Sequence, residues 1–248
     1  MAWSDLPGIA AVVDLLVPPR CVFCAAEAHE IGGGVVVVCP ACAAALSRDV
    51  ERCPTCGEPS AAGASSCERC VRRRIGDGIV VLSAYGDEVR SPVLRAKRPG
   101  GEGVAAGLAA LLVAKHADRL RSWQIDVVTP VPMHWLRRLG RGTSAAAQIG
   151  RGVARGLRLP LRPLLVRRRW TTMQNELPFE DRAANLRDAF HAGGAAAGRR
   201  VLLVDDVTTS GSTLAECRRV LVEAGAAAVY AAVVARADRG LGAEEAAP

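Results

Sequence analysis

Residues 201–214 read V-L-L-V-D-D-V-T-T-S-G-S-T-L. Val201 to Val204 form a short unbroken apolar run, the pattern of a strand buried on both faces of a parallel sheet. Arg199 and Arg200 precede the run, and Asp205 and Asp206 are expected to end it. Then come Thr208, Thr209, Ser210, Gly211, Ser212 and Thr213. From Leu214 to Glu223 the apolar residues Leu214, Cys217 and Leu221 fall at helical spacing, and Gly225 closes the helix. Strand, acid pair, hydroxyl-rich turn and helix together suit a phosphorylated sugar. Backbone N–H groups at a helix N-terminus favour phosphate, and Gly211 lets the chain approach it closely. The helix dipole contributes only about 0.3–1 kcal/mol at an exposed site, so hydroxyls and backbone donors must supply most of the grip. Carboxylates repel phosphate but accept hydrogen bonds from a sugar diol. A plain N-cap needs one hydroxyl and no acid pair. No lysine follows the glycine, which excludes the G-x-x-x-x-G-K-[ST] nucleotide loop.

This segment resembles the phosphoribosyl pyrophosphate (PRPP) signature of type I phosphoribosyltransferases, an apolar strand followed by D-D and T-x-G-x-T. The resemblance implies that Asp205 and Asp206 bind the ribose hydroxyls. It also implies that the loop, Thr208 through Thr213, wraps the 5-phosphate.

Eight of the nine cysteines form four pairs of identical spacing, Cys21/Cys24, Cys39/Cys42, Cys53/Cys56 and Cys67/Cys70. A Cys-x-x-Cys turn places two sulfurs on one face of a tetrahedral zinc, so four such turns make two sites of four thiolates each. Sites with no open position are structural. Nothing directs the chain to an oxidising space, so disulfides are not expected, and a redox motif would be one pair beside a β-α-β unit. Sequential pairing of the turns is favoured over a cross-braced arrangement of first with third and second with fourth. The module from 18 to 72 has too little core to fold without metal. Its one strand-like run is Val35 to Val38. The ninth cysteine, Cys217, lies on a helix face and reads as a small core residue in preference to a nucleophile.

A length of 248 residues accommodates one medium domain beside this module. Residues 1–17 read as an amphipathic helix that packs on its own domain or docks a partner, and Asp5 and Asp14 argue against a secretion signal. No apolar run reaches bilayer length, and a cytoplasmic chain is expected. Net charge is +7. No acidic residue lies between Asp126 and Glu176, yet ten arginines do, from Arg137 to Arg169. Such a stretch is either a solvated face or a phosphate-facing surface. Val71 to Gly78 reads as a basic linker. After it strands (79–84, 125–129, 161–166, 201–204, 227–235) alternate with helices (103–120, 143–156, 214–223), as in an α/β parallel sheet covered on both faces. The domain is expected to span 79–236, with a disordered tail at 237–248. Ligands in such sheets bind beyond the carboxyl ends of strands, where the 129–135 and 206–213 loops lie.

A double zinc ribbon ahead of a type I phosphoribosyltransferase domain resembles the ComF family, bacterial proteins linked to DNA uptake during competence. V-P-M-H-W-L-R-R at 131–138 is similar to the family's V-P-L-H-W-R-R-R, which follows a strand where related enzymes bind pyrophosphate. That assigns Met133, His134, Arg137 and Arg138 to the pyrophosphate side, although His134 also reads as an ordinary loop residue. Thr171, Gln174, Leu177, Arg182, Asn185 and Ala189-Phe190 match a further family pattern. The chain departs at Gly142-Thr143-Ser144-Ala145-Ala146, where the family shows G-F-N-Q-A. The resemblance implies PRPP with magnesium as ligand and a glycosyl-transfer reaction if the site is active. The other implication is a non-catalytic competence accessory that holds single-stranded DNA, senses PRPP and works with other competence proteins. No acceptor is legible.

Overall fold

The computed structural model describes residues 18–28, 36–60, 67, 70, 74–133, 144–167, 186 and 188–238. The expected N-terminal helix, the part of the family pattern from Thr171 to Asn185 and the tail beyond 238 lie outside them.

Strand β1 (Gly78–Ala84) and strand β2 (Val127–Pro130) precede the central pair. A short antiparallel pair, β3 (Leu165–Arg167) and β4 (Phe190–Ala192), is followed by β5 (Arg200–Thr208) and β6 (Ala228–Arg236). The main sheet has order β1-β6-β5-β2, all parallel, as the alternating pattern predicts. The signature strand therefore lies inside the sheet, flanked by β6 and β2. Its run Val201 to Val204 is fully buried.

The two faces of β5 pack differently. Leu202 and Val204 face α2 (Asp87–Ala96), α3 (Glu102–Lys115) and α5 (Ala145–Leu157), with Val93, Leu108, Leu112 and Ile149 filling the layer. Val201 and Leu203 face α6 (Ser212–Glu223) and the β3–β4 pair, through Leu214, Leu221, Leu165 and Phe190. Helix α5 buries Ala145, Ala146, Ile149, Val153 and Ala154, one stripe at helical spacing. Ser144 caps it by accepting the Ala147 N–H at 3.3 Å.

Four expectations need correcting. Strand β5 does not stop at the acid pair but continues through Asp205 and Asp206 to Thr208, because β6 keeps pairing with it as far as Arg236. The expected strand at 161–166 shrinks to Leu165–Arg167, with Leu161 making only an isolated bridge to Val128. Pro163 within it, Pro160 just before it and Pro130 on the neighbouring β2 remove ladder donors. The helix expected over 103–120 breaks at His116 into α3 and α4 (Ala117–Ser122). No helix is expected between 84 and 103, yet α2 occupies 87–96, with Asp87 and Glu88 in its first turn and Pro92 on its buried side.

The cysteine module wraps the free edge of β1. Its first half, with α1 (Pro40–Leu46), packs Val22, Phe23, Val38 and Leu46 on the α2/α3 side. Arg95 donates to the Val22 and Phe23 carbonyls at 3.0 and 2.6 Å. The second half lies on the α6 side, where Cys53 and Cys56 join the core with Ile79 and Val81. The Ile79 N–H donates to the Pro54 carbonyl at 2.9 Å, which occupies part of an otherwise open sheet edge. Val36 to Val38 form no strand; Val37 only accepts one backbone bond from Val22, and Val38 is buried instead. The described part of the expected linker, 74–78, is also built in. Ile75 is buried, and Asp77 accepts from the Val229 N–H at 2.8 Å and from Arg218 at 3.1 Å.

Candidate phosphoribose site and cysteine clusters

At the carboxyl end of β5 the side-chain alternation slips. Val204 and Val207 both pack toward the α2/α3/α5 layer although three positions separate them. The acid pair occupies the slip. Asp205 Oδ1 accepts the Asp206 N–H at 2.9 Å, and Asp206 Oδ1 accepts the Val207 N–H at 2.8 Å. Both carboxyls are thereby tied to backbone; the Asp206 side chain stays 17% exposed, and the Asp205 carboxyl is the more buried of the two. Lys97, the C-cap of α2, places its ammonium 2.9 Å from Asp206 Oδ2.

The two acids are not equivalent. Burial pushes the Asp205 carboxyl well above the usual carboxylate range, and the neighbouring Asp206 charge pushes it further, with only partial relief from a backbone N–H and from Lys97. Cys217 lies on the same side, fully buried, its thiol raised by desolvation first and by Asp205 second. It is a core residue.

Beyond Thr208 the chain turns into α6. Gly211 is the N-cap, at φ 74°. A Cβ there would sit 2.2 Å from Ile75 Cδ1, so both backbone conformation and the Ile75 contact require glycine. The hydroxyls divide into two sets. Thr208, Ser210 and Ser212 are buried; Ser210 and Ser212 share an Oγ–Oγ bond of 2.8 Å, and Ser210 Oγ accepts the Ser212 N–H. These shape the turn. Thr209 is exposed and Thr213 partly so, and with the first N–H groups of α6 they form the surface a phosphate would meet. Alongside, the Val131 N–H donates to the Val204 carbonyl at 2.8 Å, so Val131–Met133 leaves the sheet next to the acid pair. His134, Arg137 and Arg138 lie outside the described residues.

The cysteines gather as Cys21, Cys24, Cys39 and Cys42, and as Cys53, Cys56, Cys67 and Cys70, each set with its sulfurs within 4.8 Å of one another. Sequential pairing therefore holds over cross-bracing. Sulfurs sit 3.7 Å apart across Cys24/Cys39, and 3.3 Å apart across both Cys53/Cys70 and Cys56/Cys67. A tetrahedron with Zn–S near 2.3 Å has edges of about 3.8 Å, so two all-thiolate sets of this size fit structural zinc.

The second cluster is bolted to the ligand end of the sheet. Arg52 pairs with Asp238 through two bonds of 2.8 and 2.9 Å and also donates to the Gly57 carbonyl at 2.8 Å. Glu58, in the turn of the third cysteine pair, forms an ion pair with the fully buried Arg236 at the end of β6. Arg236 is the register partner of Thr208, where the phosphate turn begins. Ile75 and Lys97 are the site residues that motif reading misses. Ile75 is one apolar residue in a basic segment, and nothing in the spacing of Lys97 links it to an acid pair more than one hundred positions later.

Two family models match the chain, a double zinc ribbon domain over residues 12–71 and a phosphoribosyl transferase domain over 143–247. The DNA utilization protein YhgH of Escherichia coli (strain K12) is 30% identical over 197 residues, covering 77% of this chain and 87% of its own. Competence protein F of Haemophilus influenzae is 29% identical over 226 residues, 88% and 97% of the two chains. A solved structure of "the allosteric regulatory enzyme of purine biosynthesis" aligns at 22% identity and TM-score 0.39, over 54% of this chain and 26% of that one. The chain thus spans about a quarter of that enzyme's length. Parallel sheet, signature turn and paired cysteine clusters define a phosphoribosyltransferase-domain protein carrying a double zinc ribbon. Within that class, the chain belongs to the ComF/YhgH family.

No helix among the described residues is long and apolar enough to cross a membrane.

Proposed function

We propose that the site binds PRPP. Asp205 and Asp206 take the ribose diol, and the turn from Thr208 to Thr213 wraps the 5-phosphate. The observation that supports this most is the joint position of the acid pair and the positive-φ glycine turn, at the carboxyl end of a central parallel strand. Binding beyond that end is the general rule for open α/β sheets. Met133, His134, Arg137 and Arg138 are assigned to the pyrophosphate, which guanidinium groups suit through paired hydrogen bonds. Magnesium on the pyrophosphate would neutralise its charge as it leaves. In transfer, the bond from C1 of the ribose to the pyrophosphate oxygen breaks and a bond from C1 to the acceptor forms. Calorimetry with PRPP and magnesium is expected to give saturable one-to-one binding, and a flat titration would overturn the reading. Pyrophosphate release measured across purines, pyrimidines and nucleic acids then separates an enzyme from a sensing scaffold.

A second reading, compatible with the first, has its own observation. Arg90, Ser91, Leu94 and Arg95 on α2, with Asp87 at its start and Arg98 just past its end, line a surface groove of about 380 Å³. Leu94 is 41% exposed between those arginines, offering an apolar contact for a sugar or base beside cations for phosphate. The names of the relatives, a DNA utilization protein and a competence protein, make single-stranded DNA the partner to try. Two phosphates neutralised by Arg90 and Arg98 would give a log–log salt slope of about −1.4, at −0.7 per phosphate. Retardation of an oligonucleotide that is unchanged in Arg90→Ala/Arg98→Ala would exclude this groove as the DNA surface.

A further inference from the structure

Lys97 stands on a turn built to hold it. Helix α2 ends at Ala96, and the Lys97 N–H closes back on the Leu94 carbonyl. Arg98 and Gly101 continue the tight turn through bonds to the Arg95 and Arg98 carbonyls, both 3.1 Å. Gly101 then starts α3, and a Cβ on it would come within 2.2 Å of the Arg95 carbonyl oxygen. Only glycine lets α3 begin that close to the end of α2. The position of Lys97 is therefore fixed by the packing of two helices on the sheet. From there its ammonium reaches the outer oxygen of Asp206, with Lys97 33% and Asp206 17% exposed. The inner oxygen of Asp206 is used by the Val207 N–H. Each carboxylate oxygen thus has its own partner, one from the backbone and one from Lys97. Arg95 and Arg98, on the same turn, are exposed and face the α2 groove instead.

We propose that Lys97 is a positioning residue of the phosphoribose site, acting through Asp206. It holds that carboxylate at the carboxyl end of β5 in the orientation a ribose diol requires. The proposal rests on the phosphoribose reading above and adds a cation to its ribose side, distinct from the arginines assigned to pyrophosphate. It also accounts for how two adjacent acids are tolerated at a partly buried strand end: their joint charge meets a fixed ammonium. A lysine suits this role because it is a compact point charge, whereas a guanidinium would fork across both acids.

The test compares ribose 5-phosphate, which lacks pyrophosphate, with PRPP and magnesium, by calorimetry on the full chain. Lys97→Met is expected to weaken both ligands by the same factor, about tenfold to a hundredfold for one lost charge-assisted contact. Lys97→Arg should recover part of that loss. In an Asp206→Asn background, Lys97→Met should add nothing further, the signature of one residue acting through the other. Thermal melting of Lys97→Met and Lys97→Gln checks that the variants are folded, as expected for changes at a side chain one-third exposed. Loss confined to PRPP would overturn the proposal, because Lys97 would then serve the pyrophosphate directly. Unchanged affinity for both ligands would overturn it as well and leave a purely structural ion pair. If the unsubstituted chain bound neither ligand, the phosphoribose reading itself would fall and carry this one with it.

Discussion

Cys56→Ser is expected to abolish PRPP binding, although no cysteine touches the site. The reasoning runs through packing. Cys53 and Cys56 lie in the same hydrophobic cluster as Leu203, Val233, Leu214 and Ile75, so the second cluster is part of the core of the α6 layer. Structural zinc contributes about 10–16 kcal/mol to the folding of small metal modules, whereas whole domains are stable by only about 5–15 kcal/mol. Losing that metal therefore removes more than the ribbon can replace. With it go the Glu58 partner of Arg236 and the Arg52 partner of Asp238, both at the end of β6 beside Thr208. A fully buried guanidinium without its acid is costly, because burial strengthens the penalty for an uncompensated charge. Ile75 then loses its anchor, and Gly211 loses the side chain that packs under it.

Cys24→Ser makes the comparison. Its cluster packs against α2 and α3 on the opposite face of the sheet, and Cys24 is itself exposed. Each variant should lose one equivalent of zinc by metal analysis, and both should melt earlier. Only the second-cluster variant should lose PRPP, with the first-cluster variant keeping affinity within about threefold, a difference of under 1 kcal/mol. Equal loss in both would mean that zinc acts through global stability and not through the Ile75–Gly211 contact.

The parts of this architecture legible in the sequence are those whose chemistry is local. Four Cys-x-x-Cys turns declare tetrahedral sulfur ligation by spacing alone, and the order of the pairs follows from the short chain between them. The run Val201 to Val204 followed by two acids and a hydroxyl-rich turn identifies the sheet and its ligand end in fourteen residues. What was not legible depends on contacts between distant segments. The continuation of β5 through Asp205 and Asp206 comes from pairing with β6, and two acids in a row otherwise argue for a strand end. The burial of Ile75 and the reach of Lys97 are likewise tertiary. Helix α2 was missed because Pro92 and the glycines at its end dominate a local reading, while Val89, Val93 and Ala96 at helical spacing supply its buried face. The run Val35 to Val38 is the reverse case: its strand propensity is high, but Val37 and Val38 are buried without forming a strand.

Asp205→Asn is expected to make the chain more stable at neutral pH while removing most of its affinity for a phosphoribose. The direction follows from linkage. In the unfolded chain this carboxyl ionises near pH 3.9; in the folded protein burial and the adjacent Asp206 hold its pKa well above that. Between the two values the native state binds more protons than the unfolded one, so stability falls as pH rises through that window. Below the unfolded pKa both states are protonated, and the penalty vanishes. Asparagine mimics the protonated form, since its oxygen can still accept the Asp206 N–H and it never ionises. The melting temperature of Asp205→Asn should therefore match that of the unsubstituted protein in acid, below the unfolded-state pKa, and exceed it by a margin that grows with pH until the folded-state pKa is passed and stays constant above it. Asp206→Asn should not behave this way, because it strands Lys97 without its partner. Affinity should fall in both variants. Hydrogen bonds to a charged acceptor are worth about 1.5–3 kcal/mol, so the double variant should lose on the order of a thousandfold in PRPP affinity. A residue retained for folding would show the reverse, with Asp205→Asn less stable at pH 8 and ligand affinity untouched. Stability given up at one carboxyl and recovered as binding is what a functional acid beside a second acid should display.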